Sequence, residues 1–462
     1  MAVDEQQLDA SAGEGSASQA GIAPAFTEAE LSGVVAAAAA ALAEPEAPGT
    51  PSLWHNREFR IVLGGQAVSA FGDAVSLTVL PLLVVALTGS GIAMGIVGVL
   101  QLLPDLLLGL PAGALADRWD RRRMIIVADL GRAALTALIP LSVMLGWPTM
   151  GVILLVTFPV NALRVLFLAA WTAVMPSVVA PDQVGRSSGY AEAIFSASYV
   201  IGPAVAGLLV AVLGPGPTLT IDAASFVFSA VSLMLIRRPL RAERHDEGSH
   251  LMADIREGIA YIVREPVLRV TIPYWTIISV ASAPIVPVAI FFLTIDRAEG
   301  PSVVGLILSA YGLGSLVGAL IATRFTQGRL GRLMLVANVG SAAMIVGFAV
   351  SGVALVQAGF AMAAGVCGAL VFVPYITLRS TIPPNHLMGR VGSSARTISV
   401  GLAPIGTLLA GLSLDALGGQ TTLLAISLIM VIATAMFSFS PILRAAVAGG
   451  RSRGPGEVLP AT

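Results

Sequence analysis

Apolar runs of twenty or more residues follow one another through most of the chain, broken by short polar segments rich in Arg, Asp, Gly and Pro. A run of about 20 apolar residues crosses a hydrocarbon core of about 30 Å as a helix, which satisfies its own backbone hydrogen bonds there. Twelve such spans are predicted, over residues 60–87, 91–115, 123–146, 149–173, 188–213, 218–236, 268–293, 301–323, 331–351, 354–378, 396–417 and 420–443. The pattern changes in three places. Residues 1–55 are rich in Ala, Ser, Gly and acidic residues and lack the basic start of a signal peptide, so a disordered cytoplasmic tail is expected. Residues 238–267 form a polar linker in which Asp254 to Arg264 places apolar residues at helical spacing, as in a helix lying along the membrane interface. Residues 444–462 form a second cytoplasmic tail.

The two blocks of six spans, 56–237 and 268–443, are copies of one plan. Ser177 to Arg186 after the fourth span matches Ser380 to Arg390 after the tenth with one inserted residue. Pro203 and Leu213-Gly214 are repeated as Pro404 and Leu417-Gly418, and Gly113-Ala114-Leu115 as Gly318-Ala319-Leu320. A parallel six-plus-six duplication is the plan of secondary transporters, whose site lies near the midplane where the halves meet. The fold class is therefore all-α and polytopic, with twelve transmembrane helices in two pseudo-symmetric halves.

Composition excludes other classes. Hydrophobic residues make up 56% of the chain and charged ones 11%, against roughly 25% charged in soluble domains. The 26 basic residues are all Arg, so no phosphate-binding Walker lysine exists and ATP does not drive the chain directly. Cys367 is the only cysteine and the four His sit in tails or loops, which leaves no multi-cysteine or His-paired metal site. Neither enzyme chemistry nor a cofactor is expected. Arg clusters fall in every second loop, whereas the alternate loops hold only Arg297. This is the positive-inside pattern; it puts both termini in the cytoplasm of a multi-pass plasma-membrane protein and accounts for the basic face without a nucleic-acid partner.

The loop after span two reads Gly113-Ala-Leu-Ala-Asp117-Arg118-Trp-Asp120-Arg121-Arg122, which resembles the Gly-x-x-x-Asp-Arg-x-Gly-Arg-Arg loop of the major facilitator superfamily, with Asp120 at the second Gly. Gly65-Gln66, Gly72-Asp73, Arg164-x-x-Phe167-x-x-x-Trp171, Gly202-Pro203-x-x-x-Gly207 and Asp222-Ala-Ala-Ser-Phe226 are similar to the macrolide-efflux and enterobactin-exporter group of that superfamily. The resemblance implies a monomeric transporter that exports bulky, hydrophobic organic compounds in exchange for protons. A symporting importer and a non-transporting sensor or scaffold are the alternatives. It also implies a cytoplasmic latch at Gly113, Asp117, Arg118, Arg121 and Arg122, and relates Gly202, Pro203 and Gly207 to an antiporter motif or to close helix packing.

A charge at the centre of a bilayer costs at least about 2.5 kcal/mol, so charges there are functional candidates. Asp73, Asp105 and Arg164 lie at mid-span and are the proton-coupling candidates, with Asp73 expected beside Arg164; a static ion pair is the competing role. Asp129, Arg132 and Glu192 are expected to complete the latch, and Asp222 and Asp415, nearer the outer ends of their spans, to be solvated or capping. The second half has no central acid; Tyr311, Gln357, Met362, Phe372 and Tyr375, with Asn161 of the first half, are the candidates for lining a substrate cavity.

Overall fold

A computed structural model describes residues 52–171, 174–236, 251–325, 328–384 and 387–448. The expected tail before residue 52, the end of the other tail and the linker over 237–250 lie outside the described residues, as do the side chains of Asp117 and Arg118. The first half comprises α1 (Arg57–Thr88), α2 (Gly91–Arg118), α3 (Arg121–Leu145), α4 (Thr149–Trp171), α5 (Val184–Leu213) and α6 (Pro215–Met234). The linker contributes α7 (Leu251–Arg264). The second half comprises α8 (Pro266–Ser282), α9 (Pro301–Ala322), α10 (Leu330–Val350), α11 (Ala354–Thr381), α12 (Met388–Gly401) and α13 (Ala403–Ser438), with Ile285–Phe291 and a wider turn, Phe292–Asp296, prolonging α8.

Among the described residues eleven helical segments are long and apolar enough to cross a membrane. The last, Met388–Ser438, has 51 residues, about 77 Å of helix, and Gly418 breaks it at φ 78°, ψ 170°. Such a length is enough for two crossings, one on each side of Gly418. Large apolar side chains such as Leu155 (73% exposed) and Val212 (74%) stand on the outside, where only lipid makes them favourable.

Local chemistry sets the helix ends. Asn56 caps α1 by accepting from Glu58 N and Phe59 N, and its Nδ2 donates to Val178 O at 2.8 Å. Asp120, the departure from the family loop, caps α3 by accepting from Arg123 N at 3.2 Å. A carboxylate there satisfies an orphan N–H and meets the positive end of the helix dipole. Arg297, the one Arg on the Arg-poor side, donates to Ser351 O at 2.9 Å and lies over Phe292, so it ties down the end of α10.

Within the first half α1 packs on α5 and α6, α3 on α4 and α6, and α2 on α4; within the second, α11 packs on α9 and α10, and α13 on α8 and α10. The halves join along two seams, α2 with α13 and α5 with α9. Both are built on glycine. Gly91 and Gly95 lie against Gly411, and Gly207 against Gly305 and Pro301, so closely that a Cβ at any of them would strike opposing backbone. Ala204 N, next to Pro203, donates to Ser309 Oγ across the second seam at 2.8 Å. Gly202 meets Ala74 of α1. Backbone approach of this kind is how helices associate where no hydrophobic force drives them together. Both seams start at the ends served by the Arg-poor loops.

Candidate functional site

Between the halves lies a cavity of about 330 Å³, walled by α1 to α6 on one side and by α8 to α11 and α13 on the other. Its first-half wall carries Gln66, Asp73, Ser76, Arg132, Arg164 and Asp222. Its second-half wall is mostly apolar or aromatic, with Trp275, Ile278, Val286, Leu308 and Tyr311.

The charges in the first-half wall fall into two groups. Arg132 of α3 donates to Asp73 Oδ1 of α1. Its other terminal nitrogen is 3.7 Å from Asp129 Oδ1, three residues back on the same helix, and its guanidinium stacks 3.8 Å from the Phe226 ring centroid. Asp129 and Arg132 are buried (0% and 1% exposed), whereas the Asp73 side chain is 26% exposed and faces the cavity. Asp222 of α6 joins this group: its Oδ2 accepts from Ser76 Oγ, and Gly72 leaves room for its Oδ1 against the α1 backbone. The second group is Arg164 of α4, which donates from one terminal nitrogen to Asp105 Oδ2 at 2.7 Å and from Nε to Asn161 Oδ1 at 3.2 Å.

The central charges are therefore paired differently from the sequence expectation. Asp73 meets Arg132, and Arg164 meets Asp105. Asp129 and Arg132, expected in the latch, lie eight and eleven residues into α3 and face each other and Asp73. Asp222 is neither solvated nor a cap, because its side of α6 packs on Gly72 of α1.

Arg122 donates to Leu233 O at 3.0 Å and Met234 O at 2.9 Å, closing the last turn of α6, where a cation also favours the dipole. A Cβ on Gly113 would meet nothing within 4 Å. Glu192, two turns into α5, has no ion pair among the described residues. Arg121 lies on the first turn of α3.

Of the six cavity candidates, Asn161 and Tyr311 line the cavity. Gln357 instead donates to Ser351 O at 3.1 Å and Phe348 O at 3.4 Å, holding the end of α10. Met362 packs its backbone on Gly314 and is 37% exposed on the outside. Phe372 and Tyr375 are buried against Trp275 (centroids 5.3 and 4.7 Å), and it is Trp275 that reaches the cavity. The azimuth of α11 decides this, since Gly368 and Val371 occupy its cavity side. Sequence reasoning missed Trp275 and Asp222. For Asp222 a signal was present in the polar series Asp222, Ser225, Ser229, Ser232.

Two six-helix halves around a central cavity define a transporter of the major facilitator fold. The solved structures agree: the fold matches a bacterial homologue of the human lysosomal transporter Spinster (TM-score 0.67, 13% identity, 84% of this chain and 97% of that one). It also matches a bacterial homologue of the iron transporter ferroportin (TM-score 0.65, 15% identity, 84% and 100%). The chain belongs to the transmembrane secretion effector family, whose model matches residues 50–452. It is 28% identical over 406 residues to the multidrug efflux pump Tap of Mycolicibacterium fortuitum, covering 83% of this chain and 96% of the relative. It is 26% identical over 371 residues to macrolide efflux protein A of Streptococcus pyogenes (78% and 90%).

Proposed function

We propose that this chain exports bulky, hydrophobic organic compounds from the cytoplasm in exchange for protons, by alternating access of the central cavity. The observation that carries the reading is the cavity itself, apolar and aromatic on one half and lined on the other by a carboxylate, Asp73, paired to a buried arginine. Apolar walls accept varied hydrophobic shapes, and the few fixed polar groups orient them. Asp73 is the coupling candidate because it alone of the Arg132 carboxylates combines that ion pair with substantial exposure to the cavity. A proton on Asp73 releases Arg132, and a substrate in the cavity competes with that proton. The family and the efflux relatives support transport over catalysis and export over import.

The glycine seams support the alternation. They close the halves together from the Arg-poor ends over the first 10 to 16 Å, about seven residues of α2 and eleven of α9, and in the topology read from the Arg pattern this is the outer side. The Arg-rich loops then face the cytoplasm with both termini. Inverted membrane vesicles energised by a pH gradient test the proposal with ethidium as the probe. Vesicles holding the wild type accumulate the dye, and Asp73→Asn vesicles lose most of that uptake. Undiminished uptake by Asp73→Asn removes Asp73 from coupling, and dye moving out of the vesicles identifies an importer.

A further inference from the structure

The α1–α6 seam holds a polar file of which only half faces the cavity. On α1, Gln66, Ser69, Asp73 and Ser76 recur at i, i+3, i+7 and i+10, one face of a helix. On α6, Asp222, Ser225, Ser229 and Ser232 recur with the same spacing. The two faces meet in antiparallel register, Gly65 against Ser229 and Ser232, and Gly72 against Ser225 and Asp222. The register runs for ten residues of α6, about 15 Å. Ser69, Ser225, Ser229 and Ser232 are buried (1%, 4%, 3% and 8% exposed), and none of them lines the cavity. Ser225 Oγ and Ser232 Oγ donate to Asp222 O and Phe228 O of their own helix at 2.7 and 2.8 Å, whereas Ser69 Oγ has no such bond, and its burial in a membrane bundle is unfavourable unless it has work to do.

Two observations identify that work. Gln66 Oε1 and Ser69 Oγ are buried without a hydrogen-bond partner in the protein, and orphan oxygens in a polar cleft are where internal water binds. At the far end three carboxylates, Asp73, Asp129 and Asp222, surround one guanidinium, Arg132. Fully ionised, that group carries two uncompensated negative charges. The groups acting on Asp222 are Asp73 and Ser76 of α1, Arg132 of α3 and Ser225 of its own helix, and Ser229 acts on Asp129.

We propose that this seam is a proton relay running behind the substrate cavity. It leads from Gln66, at the cavity wall, through Ser69 and Ser229 with bridging water to Asp222 and Asp129. A water held on Gln66 Oε1 takes a proton from the cavity and passes one to Ser69; each hydroxyl accepts one proton and passes its own onward, so one proton enters and one arrives on a carboxylate with no net change to the water or the serines. Phe59, Leu63, Leu233 and Ile236 are buried beyond the Gly65 end and keep the file from continuing straight to the Arg-rich surface. The relay rests on the proton-antiport reading above, and it connects the cavity surface at Gln66 to two acids through side chains that do not line the cavity.

The test compares two fluxes in proteoliposomes, with ethidium as the probe: movement driven by a pH gradient, and counterflow at equal pH, which needs no net proton transfer. Ser69→Ala/Ser229→Ala should lose the driven flux by about tenfold or more and keep counterflow near the wild-type rate. An unchanged driven flux, or equal loss of both fluxes, overturns the relay. A wild type that shows counterflow but no response to the gradient overturns the antiport reading and the relay with it. Infrared difference spectra on acidification supply a second measure independent of transport. A protonated-carboxyl component that Asp222→Asn loses and Asp73→Asn keeps supports the assignment, and an Asp222→Asn difference spectrum identical to wild type refutes it.

Discussion

Asp415 ties the two halves together at the Arg-poor end, and its removal should shift the balance between closed and open states there. Its Oδ2 accepts from Ser90 Oγ at 2.8 Å and Ile92 N at 3.1 Å, and its Oδ1 accepts from Gly91 N. Ser90 Oγ in turn accepts from Ala93 N at 3.3 Å. Three orphan N–H groups in the first turn of α2 are thus satisfied from a carboxylate of α13 and the serine it holds. A capping side chain is worth about 0.5 to 2 kcal/mol and an anion at a helix N-terminus about 0.3 to 1 kcal/mol. The site is solvent-exposed, so screening puts the sum in the lower half of that range, at about 1.4 kcal/mol, a tenfold change in an equilibrium constant. In alternating access these bonds exist only while α2 and α13 are in contact, so Asp415→Ala should raise the ratio of separated to closed outer ends about tenfold. Asp415→Asn, which keeps an acceptor, should do less. Spin labels at the exposed positions Ile96 of α2 and Leu412 of α13 report the separation as a distance distribution. An Asp415→Ala distribution identical to wild type would refute the reasoning.

Arg132→Met should be among the most damaging single changes, because it leaves Asp73 and Asp129 without their cation. Breaking a buried pair in this way costs about 3 to 5 kcal/mol, seen as a large drop in the melting temperature of the purified protein. Arg132→Lys should rescue little, since an ammonium cannot stack on Phe226 while reaching two carboxylates; full rescue would contradict this geometry. Gly305→Val should destabilise by about 1 to 3 kcal/mol, because a side chain there meets Pro203 O and, at 3.0 Å, Gly207 Cα. Reduced cross-linking of a cysteine pair across α5 and α9, with lost transport, checks it.

The fold was legible because each span had to be long and apolar by itself, and the repeat between halves was written in local motifs such as Pro203 and Pro404. Helix caps were partly legible: Asp120 stood out as a departure from the family loop, and the structure shows it as the cap of α3. The site was legible only as a set of residue types. Asp73, Asp105 and Arg164 were recognisable as costly mid-span charges, but Asp73 pairs with Arg132 and Arg164 with Asp105. Asp222 was passed over because depth along a span was used to judge it, and depth says nothing about which neighbour a helix face meets.

The sequence by itself determined the number of crossings, the duplicated halves, the exclusion of a Walker-type ATP site and the presence of charges at half-depth. These follow from the bilayer, which fixes span length and penalises buried charge whatever the helices pack against. The tertiary structure decided which acid meets which arginine, that Trp275 and not Phe372 or Tyr375 reaches the cavity, and that two serine-rich faces meet in register between α1 and α6. Each depends on helix azimuth and on a partner from distant sequence. A side chain turns by about 100° per residue, so only the packed bundle fixes where it points.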